Sequence, residues 1–538
     1  MKPFLTCLLF LCVPLAARAQ DPTYWQDIRP IFRKHCTVCH SVRNLKEIDV
    51  SGGLALDTFA GVKKGSERTV VKAGQSDESL LYKLIIHKDA KRRMPLDAKP
   101  LAGPEIALIK KWIDTGAKEG KESDGGGEPV IVKKSGKLRR LDVVLPTAAV
   151  PPAALLPKAK PGKLEIALKV GPLSPITAVA FSPDGKTLAA GSYGLVTVWD
   201  LEKAQPAKLL TNVLGAVNDL RFNPAGTILA VAGGQPSAKG DLRLYQTSDW
   251  KLLATMRGHD DVIFSVAWSN DGTRLATASF DHKVKVWDAA THAELQTYTG
   301  HSDFVYAVAF SPDGKKLASA SKDRTVQLID LASGRSQFTF SGMEQDVLAV
   351  AFHPDGKSVV SSGFETAIFW WNPLNGEKVK TQGGHGIAVH ELAFSKDGSR
   401  LVSAGADRTA RVWDGKSGAP LKSMAVGSVV YAVAISPNNA LVASGSFDGL
   451  VRLWEEKTGR HLATFVALHG DKGEDQWLAL TPEGYAAAAD SLFSEARWRM
   501  IGAEVDGAPL WKALRRPELV ARSLGGETLP AAFAAPKK

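Results

Sequence analysis

A small all-α domain, then an all-β propeller of seven blades with strands to spare for an eighth, then a short C-terminal extension: this is the multidomain fold class the sequence predicts. Three observations predict it. The pairs Trp199-Asp200, Tyr245-Gln246, Trp287-Asp288, Ile329-Asp330, Trp371-Asn372, Trp413-Asp414 and Trp454-Glu455 follow one another at spacings of 46, 42, 42, 42, 42 and 41, a period that belongs to repeated four-stranded sheets. Ahead of them, apolar residues recur at helical spacing at both ends of residues 20–120, with Cys36-Thr37-Val38-Cys39-His40 between. Residues 121–162 are rich in Pro, Ala, Lys and Gly and separate the two parts as a linker.

Residues 1–19 read as a signal peptide. Lys2 is its basic start, Phe4 to Ala16 its apolar stretch, and Ala17-Arg18-Ala19 offers small residues for cleavage before Gln20. Cys12 could suggest a lipid anchor, but Leu11 stands before it where a small residue is needed. The apolar stretch is too short to span a bilayer as a helix, and no other reaches that length. The mature chain is therefore expected to be exported to a periplasm, without a transmembrane segment. The formal charge of +11 favours acidic partners, but spread over 538 residues it does not point to nucleic acid.

The mature chain would keep two thiols, Cys36 and Cys39, both in C-x-x-C-H. Two thiols at this offset can add to the vinyl groups of one haem, and the next imidazole, His40, then lies under the iron as its proximal ligand. Haem attachment of this type fits an extracytoplasmic compartment. A thioredoxin-like dithiol does not need the histidine, and a zinc site would need two more ligands, with His35 or His87 available. Residues 20–120 are therefore expected to be a small c-type cytochrome domain. Asp21-Pro22 is expected to open a helix carrying Tyr24, Ile28 and Phe32 on one face. A second helix, opened by Pro104, carries Ile106, Ile109, Trp112 and Ile113 and ends at Gly116. The domain's single methionine, Met94, is the expected distal ligand, with His87 as the alternative; a thioether raises the reduction potential, and a second imidazole would leave it lower. Lys88, Lys91, Arg92 and Arg93 surround Met94. They could steer an acidic redox partner or simply be a solvated loop.

The stretch from Pro30 to Ala117 resembles the cytochrome c domain of planctomycete bacteria. The pieces that carry the likeness are the C-x-x-C-H segment, Gly52-Gly53-Leu54, Ser79-Leu80-Leu81, Arg93-Met94-Pro95 and Trp112-Ile113-Asp114-Thr115-Gly116-Ala117. In that family the Met-Pro segment supplies the distal ligand, which the resemblance carries to Met94. Leu96 stands where a second proline is common.

In the repeat array, Gly258-His259, Gly300-His301 and Gly384-His385 each lie 29 residues before their Trp or Ile, and Gly342-Met343 holds that place in repeat five. Turns such as Ser311-Pro312-Asp313-Gly314 separate the strands. Residues 163–466 are expected to be the propeller, and about 170–465 resemble the WD-repeat family, whose hydrogen-bonded set is expected in repeat three as His259, Ser279, Asp281 and Trp287; repeat five has Glu365 in the Asp position. Because these histidines recur with the repeat, they read as fasteners and not as catalytic groups. Residues 467–538 form the extension. A hairpin of Gln476 to Leu480 and Gly484 to Ala487 could join Leu164 to Val170 or Val130 to Val132 in an eighth blade, and Pro517 to Leu524 is expected to be a helix closed by Gly525. The segment Trp477 to Tyr485 is similar to extensions that follow some bacterial WD-repeat arrays.

These readings imply one covalently bound haem c, an electron-transfer role toward a redox partner protein, and a ring whose rim binds a protein or peptide. Two others stand beside it: a periplasmic haem oxidoreductase with its substrate site on the propeller, and a scaffold whose haem is structural or sensing. No catalytic constellation is visible in the sequence.

Overall fold

The computed structural model describes residues 21–29, 31–32, 56, 59–65, 69–89, 93–94, 100–119, 142–152, 154–156, 162–170, 173–211, 213, 215–235, 239–469, 475–494, 496–500 and 503–533. The chain divides into two compact units, Met1–Lys134 and Ser135–Lys538.

In the first unit a wide helical turn, Tyr24–Ile28, puts Tyr24, Ile28 and Phe32 wholly inside. Its N-cap is Thr23, whose N–H donates to the Asp27 carboxylate at 2.7 Å. Asp21, expected as the cap, instead pairs with Lys118 at 2.7 Å. The helix Gly103–Asp114 buries Ile109, Trp112 and Ile113 on one face, and Gly116 just beyond it has a φ of +100°, the left-handed turn that glycine enters freely. Short helices at Phe59–Lys64, Ser76–Glu78 and Leu80–Ile85 lie between them. Tyr24, Phe32 and Trp112 meet edge-on or tilted at centroid distances of 6.2–6.3 Å.

In the second unit, seven sheets follow in chain order, each begun by one of the strands Ala178–Phe181, Ala216–Phe222, Ile263–Trp268, Val305–Phe310, Val347–Phe352, Val389–Phe394 and Val430–Ile435. They are sheets 1 to 7 below. Each takes four consecutive antiparallel strands, and the first strands neighbour one another in a circuit that returns from sheet 7 to sheet 1. The side chains between sheets are apolar on both sides: Val179 and Phe181 of sheet 1 pack on Ala432 and Ala434 of sheet 7. Each Trp-Asp-type pair ends the third strand of its sheet and not the last, so sheet and sequence repeat are offset by one strand. Short turns join strands one and two. In one of them Ser311 Oγ donates to Asp313 at 2.6 Å and Gly314 sits at a φ of +67°.

Two expectations are corrected here. The hairpin Asp475–Leu480 and Ala486–Ala488 does not start an eighth blade; it pairs with His461–His469 and widens sheet 7 to six strands. A separate sheet is made of Asp142–Pro146, Leu164–Lys169, Ala496–Met500 and Ala503–Val505, so the strand Asp142–Pro146 lies within the stretch expected as linker. Val130 to Val132 lie outside the described residues. The helix Pro517–Leu524 forms as expected and is followed by Gly525. No described helix is long and apolar enough to cross a membrane.

Candidate functional site

Cys36, Cys39 and His40 lie outside the described residues; Met94 and His87 are described. The helix Leu80–Ile85 positions both. Its Leu84 carbonyl accepts the His87 and Met94 backbone N–H groups, at 3.3 and 3.0 Å, and Arg93 N–H closes the loop onto Asp89 at 2.9 Å. Met94 is therefore held half-buried beside the helix end. The half-buried His87 places Nδ1 3.1 Å from the Asp89 N–H and 3.3 Å from the Asp89 carbonyl oxygen. Both distal candidates, the Met94 thioether and the His87 imidazole, are therefore carried by the one loop that follows the helix Leu80–Ile85. Among the described residues no cluster of three or more His, Cys, Asp or Glu could hold a metal ion.

The motif pieces around Met94 are tied into one frame. Ser79 Oγ accepts the Lys72 N–H at 2.8 Å and donates to Gln75 O at 2.9 Å. Asp114 accepts the Ser76 N–H at 3.1 Å and the Lys110 ammonium at 2.9 Å, contacts that hold its carboxyl down at about 2, Lys110 contributing most. Trp112 Nε1 and the Tyr24 N–H both donate to Lys118 O, at 2.9 Å each. These bonds explain why Ser79 and the stretch from Trp112 to Ala117 have the residues they do: they brace the helices around the buried aromatic core.

In the ring, the recurring histidines are fasteners. His259 reaches Asp281 through Nδ1 at 2.9 Å and Thr277 Oγ1 through Nε2 at 2.8 Å, and Trp287 Nε1 donates to the same hydroxyl at 2.9 Å. The hydroxyl of the set is thus Thr277 and not Ser279, which bonds Asp261 O at 3.0 Å. His385, Asp407, Ser403 and Trp413 repeat the arrangement in sheet 6, and His301, Asp323 and Ser319 repeat it in sheet 4. These hydrogen bonds hold the Asp281, Asp323 and Asp407 carboxyls below the usual range despite burial. In sheet 5, Met343 packs where the histidine would be, and Glu365 takes the carboxylate role by accepting the Glu344 and Gln345 N–H groups.

One end of the ring gathers aromatic side chains, which sequence reasoning did not single out. In sheets 2 to 7 the first strand carries a bulge at its entry, and Asn218, Phe264, Tyr306, Leu348, His390 and Tyr431 are the residues it takes out of register. Phe280, in the turn after the second strand, stacks on Phe264 at 5.2 Å and on Phe304 at 4.4 Å, with Tyr306 edge-on. The equivalent turns of other sheets expose Tyr193, Phe364 and Phe447 by 43–58%, and Ile387 joins them at 55%. Their position in each repeat was the available signal.

Two family models match this chain: planctomycete cytochrome C over residues 36–97, and the WD domain, G-beta repeat over 166–200, 250–288, 293–330, 334–372, 376–414 and 420–455. The chain joins a planctomycete cytochrome C domain to a run of WD repeats. Residues 201–249, which hold most of sheet 2, lie outside the WD matches. Among curated proteins, the chain is similar to WD repeat-containing protein VIP3 of Arabidopsis thaliana (32% identity, 21% of this chain and 39% of the relative), to Protein hir-1 of Neurospora crassa (31%; 21% and 14%) and to the Intraflagellar transport protein 122 homolog of Homo sapiens (41%; 13% and 5%). The chain thus spans at most 39% of the length of these three relatives.

Proposed function

We propose that this WD-repeat cytochrome is an exported electron-transfer protein: one haem c tethered through Cys36 and Cys39, iron held between His40 and Met94, and a seven-bladed propeller that docks a protein partner at its aromatic end. The observation that carries the haem half is the cytochrome match, which runs from Cys36 to residue 97 and so spans C-x-x-C-H and Met94 together. When bound, the haem supplies a one-electron Fe(III)/Fe(II) couple. The residues of the chain do the rest. Two thiols fix the group's position, Met94 is presented by its bond to Leu84, and the Tyr24, Phe32 and Trp112 core keeps water away from the domain interior. The exposed lysines Lys83 and Lys88 and the half-buried Arg93 give an acidic redox partner a surface to approach. The docking half rests on the WD repeats and on the exposed aromatics, a grouping that a soluble monomer seldom leaves uncovered.

The test is expression for export alongside a haem-maturation system. The expected product is coloured, keeps its haem after denaturation, and shows a six-coordinate spectrum. Cys36→Ser should weaken covalent attachment, and Met94→Ala should lower the reduction potential. A colourless mature chain with both thiols open to alkylation would overturn the haem reading. An unchanged spectrum and potential in Met94→Ala would overturn the distal assignment alone.

A further inference from the structure

The first strands of the seven sheets share a pattern at two alternate positions that face the following sheet. Those positions are small in five sheets: Ala178 and Ala180, Ser265 and Ala267, Ala307 and Ala309, Ala349 and Ala351, Ala432 and Ala434. Sheet 2 has Asp219 and Arg221 instead, and sheet 6 has Glu391 before Ala393. These three charged exceptions meet. Arg221 Nη2 lies 2.9 Å from Glu391 Oε1 and 3.3 Å from Asp219 Oδ1.

Sheets 2 and 6 are not neighbours. Sheets 7 and 1 separate them on one side of the circuit and sheets 3, 4 and 5 on the other. A direct bond between their first strands therefore crosses the space the ring encloses. Both carboxylates also reach the adjoining sheet. Asp219 Oδ2 accepts the Val266 N–H and the Ser265 hydroxyl of sheet 3, each at 3.0 Å, and Glu391 Oε2 accepts the Val433 N–H of sheet 7 at 2.9 Å. The first strand of each sheet is an inner edge whose outward N–H groups have no ladder partner, and here two such groups find one. Sheet 2 contains no histidine, so it lacks the His–Asp fastener of sheets 3, 4 and 6.

We propose that Asp219, Arg221 and Glu391 form a three-residue clasp across the interior of the ring, tying sheet 2 to the non-adjacent sheet 6 and capping the inner edges of sheets 3 and 7. Burial pushes both carboxyls up while Arg221 pulls them down. The charges thus suffer a desolvation cost that only the complete set offsets. The clasp acts as a unit: removing one member leaves a part-buried charge without its counterpart, and removing all three returns the strands to the small-residue pattern of the other sheets. It does not depend on the haem or on the docking partner.

The test uses the full-length protein, with urea unfolding and amide hydrogen exchange as readouts. Arg221→Ala leaves two carboxylates facing each other. Exchange of the Val266 and Val433 amides should accelerate roughly tenfold or more, and the unfolding midpoint should fall. Glu391→Gln should do the same more mildly at Val433. The triple variant Asp219→Ala, Arg221→Ala, Glu391→Ala should recover a midpoint near the parent, while the two amides, now without acceptors, still exchange quickly. If Arg221→Ala fails to fold and the triple variant folds, the clasp stands. A triple variant as damaged as Arg221→Ala, or single variants indistinguishable from the parent in both readouts, would overturn it.

Discussion

Thr277 shows how much one hydroxyl can hold. Its oxygen receives the Trp287 N–H and faces His259 Nε2, while Nδ1 of that ring faces Asp281. Removing it as Thr277→Val keeps the shape and leaves two buried polar groups unmet. Urea unfolding should then show a loss of about 2–6 kcal/mol, from roughly 1–3 kcal/mol for each of the two stranded groups. Ser279→Ala should cost about 1 kcal/mol; equal losses would mean that Ser279 belongs to the relay after all. The sequence shows a Ser-x-Asp spacing at 279 and 281, which is why Ser279 is the natural choice there. Strand register decides otherwise. Trp287 pairs with Leu275, so its indole reaches the diagonal neighbour 277 and not 279. Asp21 fails as a cap for a similar reason, because Lys118 comes within 2.7 Å only once the chain has folded. Histidine titration belongs to this scale too. Burial, with Arg452 adding to it, holds His461 down at about 4. An imidazole with a lowered folded pKa is protonated more readily in the unfolded chain. Its contribution is therefore complete above the unfolded value of about 6.5 and is lost as pH falls from there toward about 4, by up to about 3 kcal/mol. Burial also lowers His385 and His390, so those two act in the same direction. Stability measured across that window should fall less steeply in His461→Phe than in the parent, and an unchanged slope would remove His461 as a contributor.

At the scale of strands and turns, the repeat is what makes the ring readable in the sequence. Each sheet must offer the same apolar faces to its two neighbours, so the same residue types recur about every 42 positions. The hairpin at 475–488 is readable for its own turn chemistry, but its partner is not. An edge strand accepts any strand that comes within reach, and His461–His469 comes first. The bulges are invisible for another reason: they add no unusual residue, only a shift in pairing. Yet they and the turns after the second strands gather the aromatic end of the ring. Phe364 and Phe447, at 50% and 58% exposure, contribute little to the core. Phe364→Asp with Phe447→Asp should therefore shift unfolding by less than about 1 kcal/mol in total, as surface changes do. The same pair should abolish recovery of a partner captured from an extracytoplasmic fraction with the full-length chain. Undiminished recovery would move the docking surface elsewhere on the ring.

Sheets 1 to 7 of the second unit each take their strands consecutively from the chain, so none of these seven sheets exchanges a strand between the chain's ends to lock the circuit. The tie between the ends is the additional sheet. Leu164–Lys169, just ahead of sheet 1, pairs on one side with Asp142–Pro146 and on the other with Ala496–Met500, which follows sheet 7. Its side chains Leu164, Ile166 and Leu168 share a core with Leu478 and Leu480 of the widened sheet 7 and with Trp498, Leu510, Trp511 and Leu514. The helix Pro517–Leu524 sets Val520 and Leu524 against Trp199 of sheet 1 and Phe465 of sheet 7, covering the junction where the circuit closes. The region that sequence reasoning treats as an appended extension is thus the closing seam. A chain ended after Ala488 would expose Leu164, Ile166, Leu478 and Leu480 and lose Trp498, Trp511 and the helices Gly507–Leu514 and Pro517–Leu524. Each large apolar side chain contributes about 1.5–3 kcal/mol when buried, and a folded unit has only about 5–15 kcal/mol in total. The truncated chain should bind a hydrophobic dye, expose the first strand of sheet 1 to rapid hydrogen exchange, and lose its single cooperative unfolding step. If it instead unfolded cooperatively at the parent's urea midpoint, contact between the first strands of sheets 7 and 1 would suffice to shut the ring, and the terminal sheet would be an ornament on a structure already complete.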